Sequence, residues 1–369
     1  MSAALATATL AVTGCGVVSS AGLGLDALGD RLLDGKPGHT VPTADIVAEF
    51  PPRPLRVVSD EEVLGVLGRK GLRYVDRLTT LGMVASGMAL EGLAQDDPTE
   101  IGVVLGTATG SIRSITEVAR DTLVQDKPYL INPGRFPNTV LNSAAGQIAI
   151  RNELRGVNAT VASGKLSTLS AVRYADTAIR LGRVTRLVVG GVEELSPPMA
   201  WAWHLAGDLG EQTAVGEGCA MFVLEDTARA TAEGRPVLAE ILACEVGFHG
   251  GPQRRGLTGG LAGSITRALT KAGVDAADVA TVSVSAPAAD AALSHVEQRG
   301  VEAALGRTPA TVNVVDVVGE CYSASGALQL AGLLALWRRW PAGDGAVGLV
   351  TSVCRDGNVG CLVVRDRRG

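Results

Sequence analysis

Aromatic side chains are scarce in this chain. Phe, Trp and Tyr make up 3% of its residues, against 47 glycines. That balance excludes a core built on large rings and points to tight turns and packing of small residues. It does not signal disorder, because 46% of the residues are hydrophobic and charge is moderate. Basic runs are absent and the formal net charge is −5, so nucleic acid is not an expected partner. No two of the six cysteines (Cys15, Cys219, Cys244, Cys321, Cys354 and Cys361) have C-x-x-C spacing. They lie in apolar runs and read as buried free thiols, not as a disulfide framework or a zinc site. Histidine is rare as well. His39, His204, His249 and His295 show no metal-ligand spacing and read as surface or loop residues, although sequence distance leaves a Ser-His-Asp or Cys-His constellation open. The N-terminus lacks the basic region of a signal peptide. No apolar stretch runs uninterrupted for the roughly 18 residues that span a bilayer. The expectation is a soluble cytoplasmic chain with no membrane partner.

What is present is ample apolar content over 369 residues, enough for two packed halves or one large α/β unit. Strand-like runs alternate with helical spacing. Strands are expected at Thr9 to Ser20, Ile101 to Thr107, Arg186 to Val192 and Gly216 to Glu225, with helices at Leu25 to Leu33, Ser114 to Gln125 and Asn142 to Arg151, and one or two helices over Glu61 to Leu93 interrupted near Arg73 to Asp76. The pattern restarts near Gly234. Strands then follow at Leu238 to Val246, Val279 to Val284, Ala310 to Val315, Ala346 to Val353 and Val359 to Arg365. Helices are expected at Gly260 to Ala272, Val296 to Leu305 and after Gly319 to Trp337. Alternation of this kind argues for a mostly parallel sheet system, and its repetition argues for duplication. The two halves are read as residues 1–235 and 236–369.

One stretch stands out, Asn158 to Ala171. It reads as a β-branched strand, a tight turn at Ser163-Gly164 and then a helix. A helix N-terminus favours an anion, and enzymes often place a nucleophile there. Here the residue on the turn is Lys165, a cation. A phosphate-loop reading of Gly164-Lys165 fails, because Ala159 stands where the first Gly is needed and Leu166 where Ser or Thr should be. Gly14-Cys15-Gly16 suggests a dinucleotide fingerprint, but Ser19 replaces the third Gly and a structural turn is the better reading.

Several motifs carry a family resemblance. Val12 to Ser20, Pro137 to Gln147, Val189 to Glu194, Gly216-Glu-Gly218, Gly319 to Ala327 and the tail Ser352 to Val364 resemble the β-ketoacyl-[acyl carrier protein] synthases, in the right order over nearly the whole chain. The resemblance implies an α/β thiolase-like fold, with two βαβαβαββ halves in a five-layered α-β-α-β-α arrangement. It implies no cofactor and no metal. Active members use a Cys nucleophile and two His. In this chain the Cys position falls on Lys165, the first His on Pro287 and the second on Glu320. The family's Lys aligns with Val315 and its gating Phe with Arg355. Every catalytic position has changed chemistry, so a synthase-shaped protein without synthase activity is expected, with no catalytic residue. Because the second His lies beside the Cys in the family, a Lys165–Glu320 ion pair is expected. The competing reading is a lysine that snorkels or loses its proton.

Among inactive members the chain resembles the chain length factors, or ketosynthase β subunits, of type II polyketide synthases. The resemblance implies a heterodimer with an active ketosynthase α subunit, contact with acyl carrier protein through that complex, and a polyketide chain held in the partner's tunnel. Aromatic systems usually carry Gln at the Cys position. Here the residue is Lys, the segment between Trp203 and Gly216 is short, and the usual Arg-Pro-Phe-Asp before Gly216 is missing. These departures tilt the resemblance toward reducing, polyene-forming systems. Ile112, Ile115, Val118 and Thr122 are spaced to share a helical face, and the resemblance puts this segment at the dimer interface. One or two of them are candidate floor residues for the tunnel, against ordinary packing as the alternative. Gly134 and Phe136 belong to a loop that crosses the dimer in the family. A second class of function, an acyltransferase with Ser163, Ser167 or Cys321 as nucleophile, stays open. A decarboxylating priming subunit would need a His for the enolate.

Overall fold

The computed structural model describes residues 9–41, 49–92, 97–207, 209–210, 212–249, 255–340 and 345–367. In chain order its main elements are β1 (Leu10–Ser19), α1 (Gly24–Asp34), α2 (Arg77–Leu90), β2 (Ile101–Gly106), α3 (Ile112–Val124), α4 (Ser143–Arg151), β3 (Asn158–Val161), α5 (Ser167–Arg180), β4 (Arg186–Glu193), α6 (Pro197–Ala206), β5 (Gly218–Asp226), β6 (Ala239–Phe248), α7 (Arg255–Ala272), β7 (Val279–Val284), α8 (Ala291–Leu305), β8 (Ala310–Asn313), α9 (Ser325–Arg339), β9 (Val347–Val353) and β10 (Asn358–Asp366).

The strands form a sheet in the order β8-β7-β9-β10-β6-β1-β5-β4-β2-β3. Outward from the seam, β1-β5-β4-β2-β3 pairs antiparallel, antiparallel, parallel, parallel. From the same seam, β6-β10-β9-β7-β8 pairs in the identical sequence of directions. β1 and β6 join the two series, antiparallel. Helices α5 and α9 each contact strands of both series and form the middle layer. α2 and α4 cover the outer face of the first series, and α7 and α8 that of the second. The result is the duplicated, five-layered thiolase-like α/β arrangement.

Local chemistry explains the elements. Every residue of β2 and β4 is buried, since helices cover both faces, so β2 and the Leu187–Val192 stretch of β4 are apolar runs without alternation, with charged Arg186 and Glu193 at the ends of β4. α9 is buried over nearly its whole circumference, as expected for a helix between two sheets. Small residues make that sandwich possible: a Cβ on Gly191 would lie 2.1 Å from Thr168 Oγ1 on α5.

Three helices begin earlier than their apolar spacing suggests. α3 starts at Ile112 and not Ser114, because Ser111 caps it by accepting from Ser114 N. α8 starts at Ala291 and not Val296, because Asp290 accepts from Leu293 N. α7 starts at Arg255 and not Gly260. Polar caps extend a helix beyond its apolar stripe. None of the six cysteines is in a disulfide, but only Cys219, Cys321 and Cys361 are buried. Cys15, Cys244 and Cys354 are partly exposed, which corrects the uniform reading from composition. Among the described residues, no helix is long and apolar enough to cross a membrane.

Candidate functional site

β3 delivers the chain into a turn at 162–166 that precedes α5. Gly164 takes φ 56°, and a Cβ there would lie 3.1 Å from Tyr322 Oη. Ser163 N donates to Ser167 Oγ at 3.0 Å, and Ser167 Oγ donates to Gly164 O at 2.7 Å. The Ser167 hydroxyl therefore pins the turn. Lys165 sits just before the helix, whose N-cap position is Leu166.

Lys165 is 4% exposed and Glu320 1%. Their charged groups meet, Nζ to Oε2, at 2.6 Å. The ion pair expected from the sequence is present. Lys165 Nζ also donates to Ser285 O at 3.0 Å. The second Glu320 oxygen accepts from Tyr322 N at 2.9 Å and from Ser325 Oγ at 2.8 Å. Tyr322 adopts φ 44°, a left-handed conformation that costs free energy for a non-Gly residue and that this bond helps hold. Burial by itself would lower the Lys165 pKa, but the Glu320 charge and hydrogen bond outweigh it and hold the ammonium above its ordinary value. The lysine therefore stays a cation.

The Ser285 carbonyl is itself positioned. Buried Glu297 accepts from Ser285 N at 3.0 Å, Ala286 N at 2.7 Å and Thr351 Oγ1 at 2.7 Å. Above the pair lies a cavity of about 60 Å³ lined by Lys165, Trp203, Pro287, Glu320, Tyr322 and Arg355, among others. That space suits a few waters, not an acyl chain. Arg355 is bound to Asp290, which caps α8, so its guanidinium lies across the wall. Val315 is buried at the start of a one-turn helix, Val315–Val318, and is not among the described residues lining this cavity. It is not brought together with the other four positions aligned to catalytic residues.

The alternative nucleophiles fare differently. Cys321 is fully buried, with its thiol pushed far up by desolvation and turned toward the Val318 and Gly319 carbonyls. Ser167 is committed to the turn. Ser163 is partly exposed beside it.

On α3, Ile115, Val118 and Thr122 are partly exposed on one face. Ile112 differs: it packs inward against the cluster containing Leu195, Met199 and Trp203, so only three of the four candidates share the outward face. Thr122 turns its hydroxyl to Ala119 O at 2.6 Å. Gly134 lies against the Tyr74 ring, where a Cβ would approach to 2.8 Å. Phe136 is 56% exposed, and Leu123, at the end of α3, is 85% exposed. β3 is the last strand of the sheet among the described residues, so one of its edges is unpaired there.

Sequence reasoning missed Glu193, Glu194 and Glu297 as structural anchors. Two acids ending an apolar strand, Val189 to Glu194, were the available signal for the first two. Glu193 is buried and accepts from Ser323 Oγ and Ala108 N, and burial pushes its carboxyl up to about 8. Among the described residues no cluster of three or more His, Cys, Asp or Glu could hold a metal ion.

Residues 7–230 match the family described as Beta-ketoacyl synthase, N-terminal domain. The chain is 27% identical over 326 residues to 3-oxoacyl-[acyl-carrier-protein] synthase 2 of Vibrio harveyi, covering 80% of this chain and 76% of that one. It is 29% identical over 346 residues to the actinorhodin polyketide putative beta-ketoacyl synthase 2 of Streptomyces coelicolor, covering 86% and 83%. A solved structure described as the ishigamide ketosynthase/chain length factor superposes with a TM-score of 0.86 at 32% identity, over 98% of this chain and 100% of that one. With more than half its length matched to the family, the chain belongs to the β-ketoacyl synthase family.

Proposed function

We propose that this chain is a non-catalytic chain length factor of a type II polyketide synthase, of the reducing, polyene-forming kind. In this reading it pairs in the cytoplasm with a ketosynthase α subunit. That partner's Cys holds the growing chain, acyl carrier protein docks on the pair, and this chain shapes the tunnel.

One observation carries the reading. A cation neutralised by a buried carboxylate fills the place where the family keeps a nucleophile and a His. A lysine held as a cation has no free electron pair to attack a thioester. No imidazole stands at Pro287 or Glu320 to stabilise an enolate. The likeness to the ishigamide ketosynthase/chain length factor supports the partner class, and the short segment between Trp203 and Gly216 supports the polyene kind. Leu123, Val124, Tyr129, Leu130 and Phe136 are exposed, and β3 ends the sheet among the described residues, features that an obligate partner would cover.

The chain alone, incubated with labelled acyl-carrier protein and malonyl-carrier protein, is expected to take up no label. Co-expressed with a type II ketosynthase α subunit that carries the Cys and both His, it should co-elute as a stable pair. Acylation mapped by mass spectrometry to Ser163, Ser167 or Cys321 would favour the acyltransferase reading instead. Ile115→Ala and Phe136→Ala, tested in the complex, should each shift the products toward longer chains by deepening the floor. Unchanged products from an intact complex would count against a floor on this chain.

A further inference from the structure

Helix α3 is poorly buttressed for an element expected to stop a growing chain. Of its residues only Ser114 is buried. Arg113, Ser114 and Glu117 face a cleft of about 420 Å³ on the side away from Ile115. Along its length the helix is held by Glu117, paired with Arg135 at 2.7 Å, but both side chains are substantially exposed, so that bridge is weak. The firm attachment is at the N-terminus, where Ile112 also packs against the Leu195, Met199 and Trp203 cluster. There the Glu194 carboxylate, 1% exposed, accepts from Arg113 N at 3.0 Å through Oε1 and from Leu78 N at 3.3 Å through Oε2. Ser111 Oγ lies within hydrogen-bond distance of both oxygens. Leu78 belongs to the first turn of α2, and Arg113 to that of α3. One buried carboxylate therefore caps two helices at once.

Resting on the chain length factor reading, we propose that Glu194 is a positioning residue that sets the height of the tunnel floor by tying the first turn of α3 to the first turn of α2. Product length then depends on where the helix stands as well as on side-chain bulk at Ile115, and the cleft behind α3 gives it room to retreat when the tie is loosened. The geometry also makes the tie sensitive to protons. A proton on either oxygen removes one acceptor, so one of the two N–H bonds is lost. Burial, with Asp76 adding to it, pushes the Glu194 carboxyl up to about 7, against the opposing Arg113 N–H and guanidinium. The other charges around it are the preceding residue, Glu193, at the end of β4, and the Arg77–Glu217 pair beside Leu78.

The test uses the full chain with its partner ketosynthase. In Glu194→Ala, exchange of the Arg113 and Leu78 amides should rise about tenfold, and the major product should lengthen or spread over several lengths. In the unmodified chain, the same amides should lose protection as pH falls from 8 to 6 after correction for intrinsic exchange. Glu194→Gln should abolish that pH dependence. Should Glu194→Ala fail to fold, Glu194→Gln and Ser111→Ala read the same two quantities. Unchanged products with Glu194→Ala beside longer products with Ile115→Ala would overturn the proposal and leave the chain length factor reading standing. Unchanged products with both would overturn the two together, as would amide exchange indifferent to Glu194 and to pH for the proposal alone.

Discussion

Glu320→Ala is expected to destabilise the chain by about 3–5 kcal/mol, because it leaves the Lys165 ammonium buried with no counter-charge. The ion pair is almost wholly removed from solvent, so water cannot screen the loss. The substitution also strips the acceptor from Tyr322 N and Ser325 Oγ, one of which steadies a backbone in a costly conformation. Replacing both partners, Lys165→Met with Glu320→Leu, should cost far less and can even stabilise, since an apolar pair carries no desolvation penalty. A urea-denaturation cycle over the two single variants and the double one measures the coupling. A loss below about 1 kcal/mol for Glu320→Ala would show that the lysine finds another way to be solvated or neutral. The sign with pH is fixed by the raised Lys165 value. The stabilisation is complete below the ordinary lysine pKa and is lost only as pH climbs beyond it through the higher folded value. Across the neutral range the pair stays closed, which is what a permanent structural plug requires.

The second large effect has the same sign in pH but falls in a lower window. Glu193 is completely buried, and desolvation pushes it from 4.5 up to about 8. Its Oε1 meets no donor among the described residues, so nothing there offsets the loss of water. The folded chain holds this proton more tightly than the unfolded chain does. Stability should therefore fall as pH rises from about 4.5 through about 8, by a few kcal/mol in all. Glu194, pushed up to about 7, adds a smaller slope of the same sign. Glu193→Gln should flatten the profile between pH 6 and 8.5, since an amide has no proton to lose in that window. Equal unfolding free energies for the unmodified chain at pH 6 and 8.5 would contradict the expectation. Carboxylates with lowered values, such as Glu245 beside Lys271, lose their contribution only as pH falls into the acid range, so they do not mask this slope.

The two series of strands were readable because buried strands leave long apolar runs, and a restart near Gly234 marks where the second begins. The turn at Ser163-Gly164 was readable because only a glycine sits comfortably at its positive φ. Helix starts were misplaced where a polar cap, Ser111 or Asp290, begins the helix before its apolar face does. Ile112 was placed with Ile115 by spacing alone. Its inward turn follows from the neighbouring Met199 and Trp203, which arrive from another part of the chain.

The sequence by itself determined that a lysine follows the Ser163-Gly164 turn and a glutamate follows Gly319, the places where the family resemblance leads one to expect a nucleophile and a histidine. A residue's identity is local information. The tertiary structure decided that these two side chains, 155 positions apart, meet at 2.6 Å. It decided as well that Arg355 reaches Asp290 across the remaining space, and that one carboxylate at Glu194 ties two helices together. Those facts depend on how two half-sheets close around α5 and α9. Burial then converts proximity into pairing, because a charge taken out of water must find its counter-charge or lose its proton.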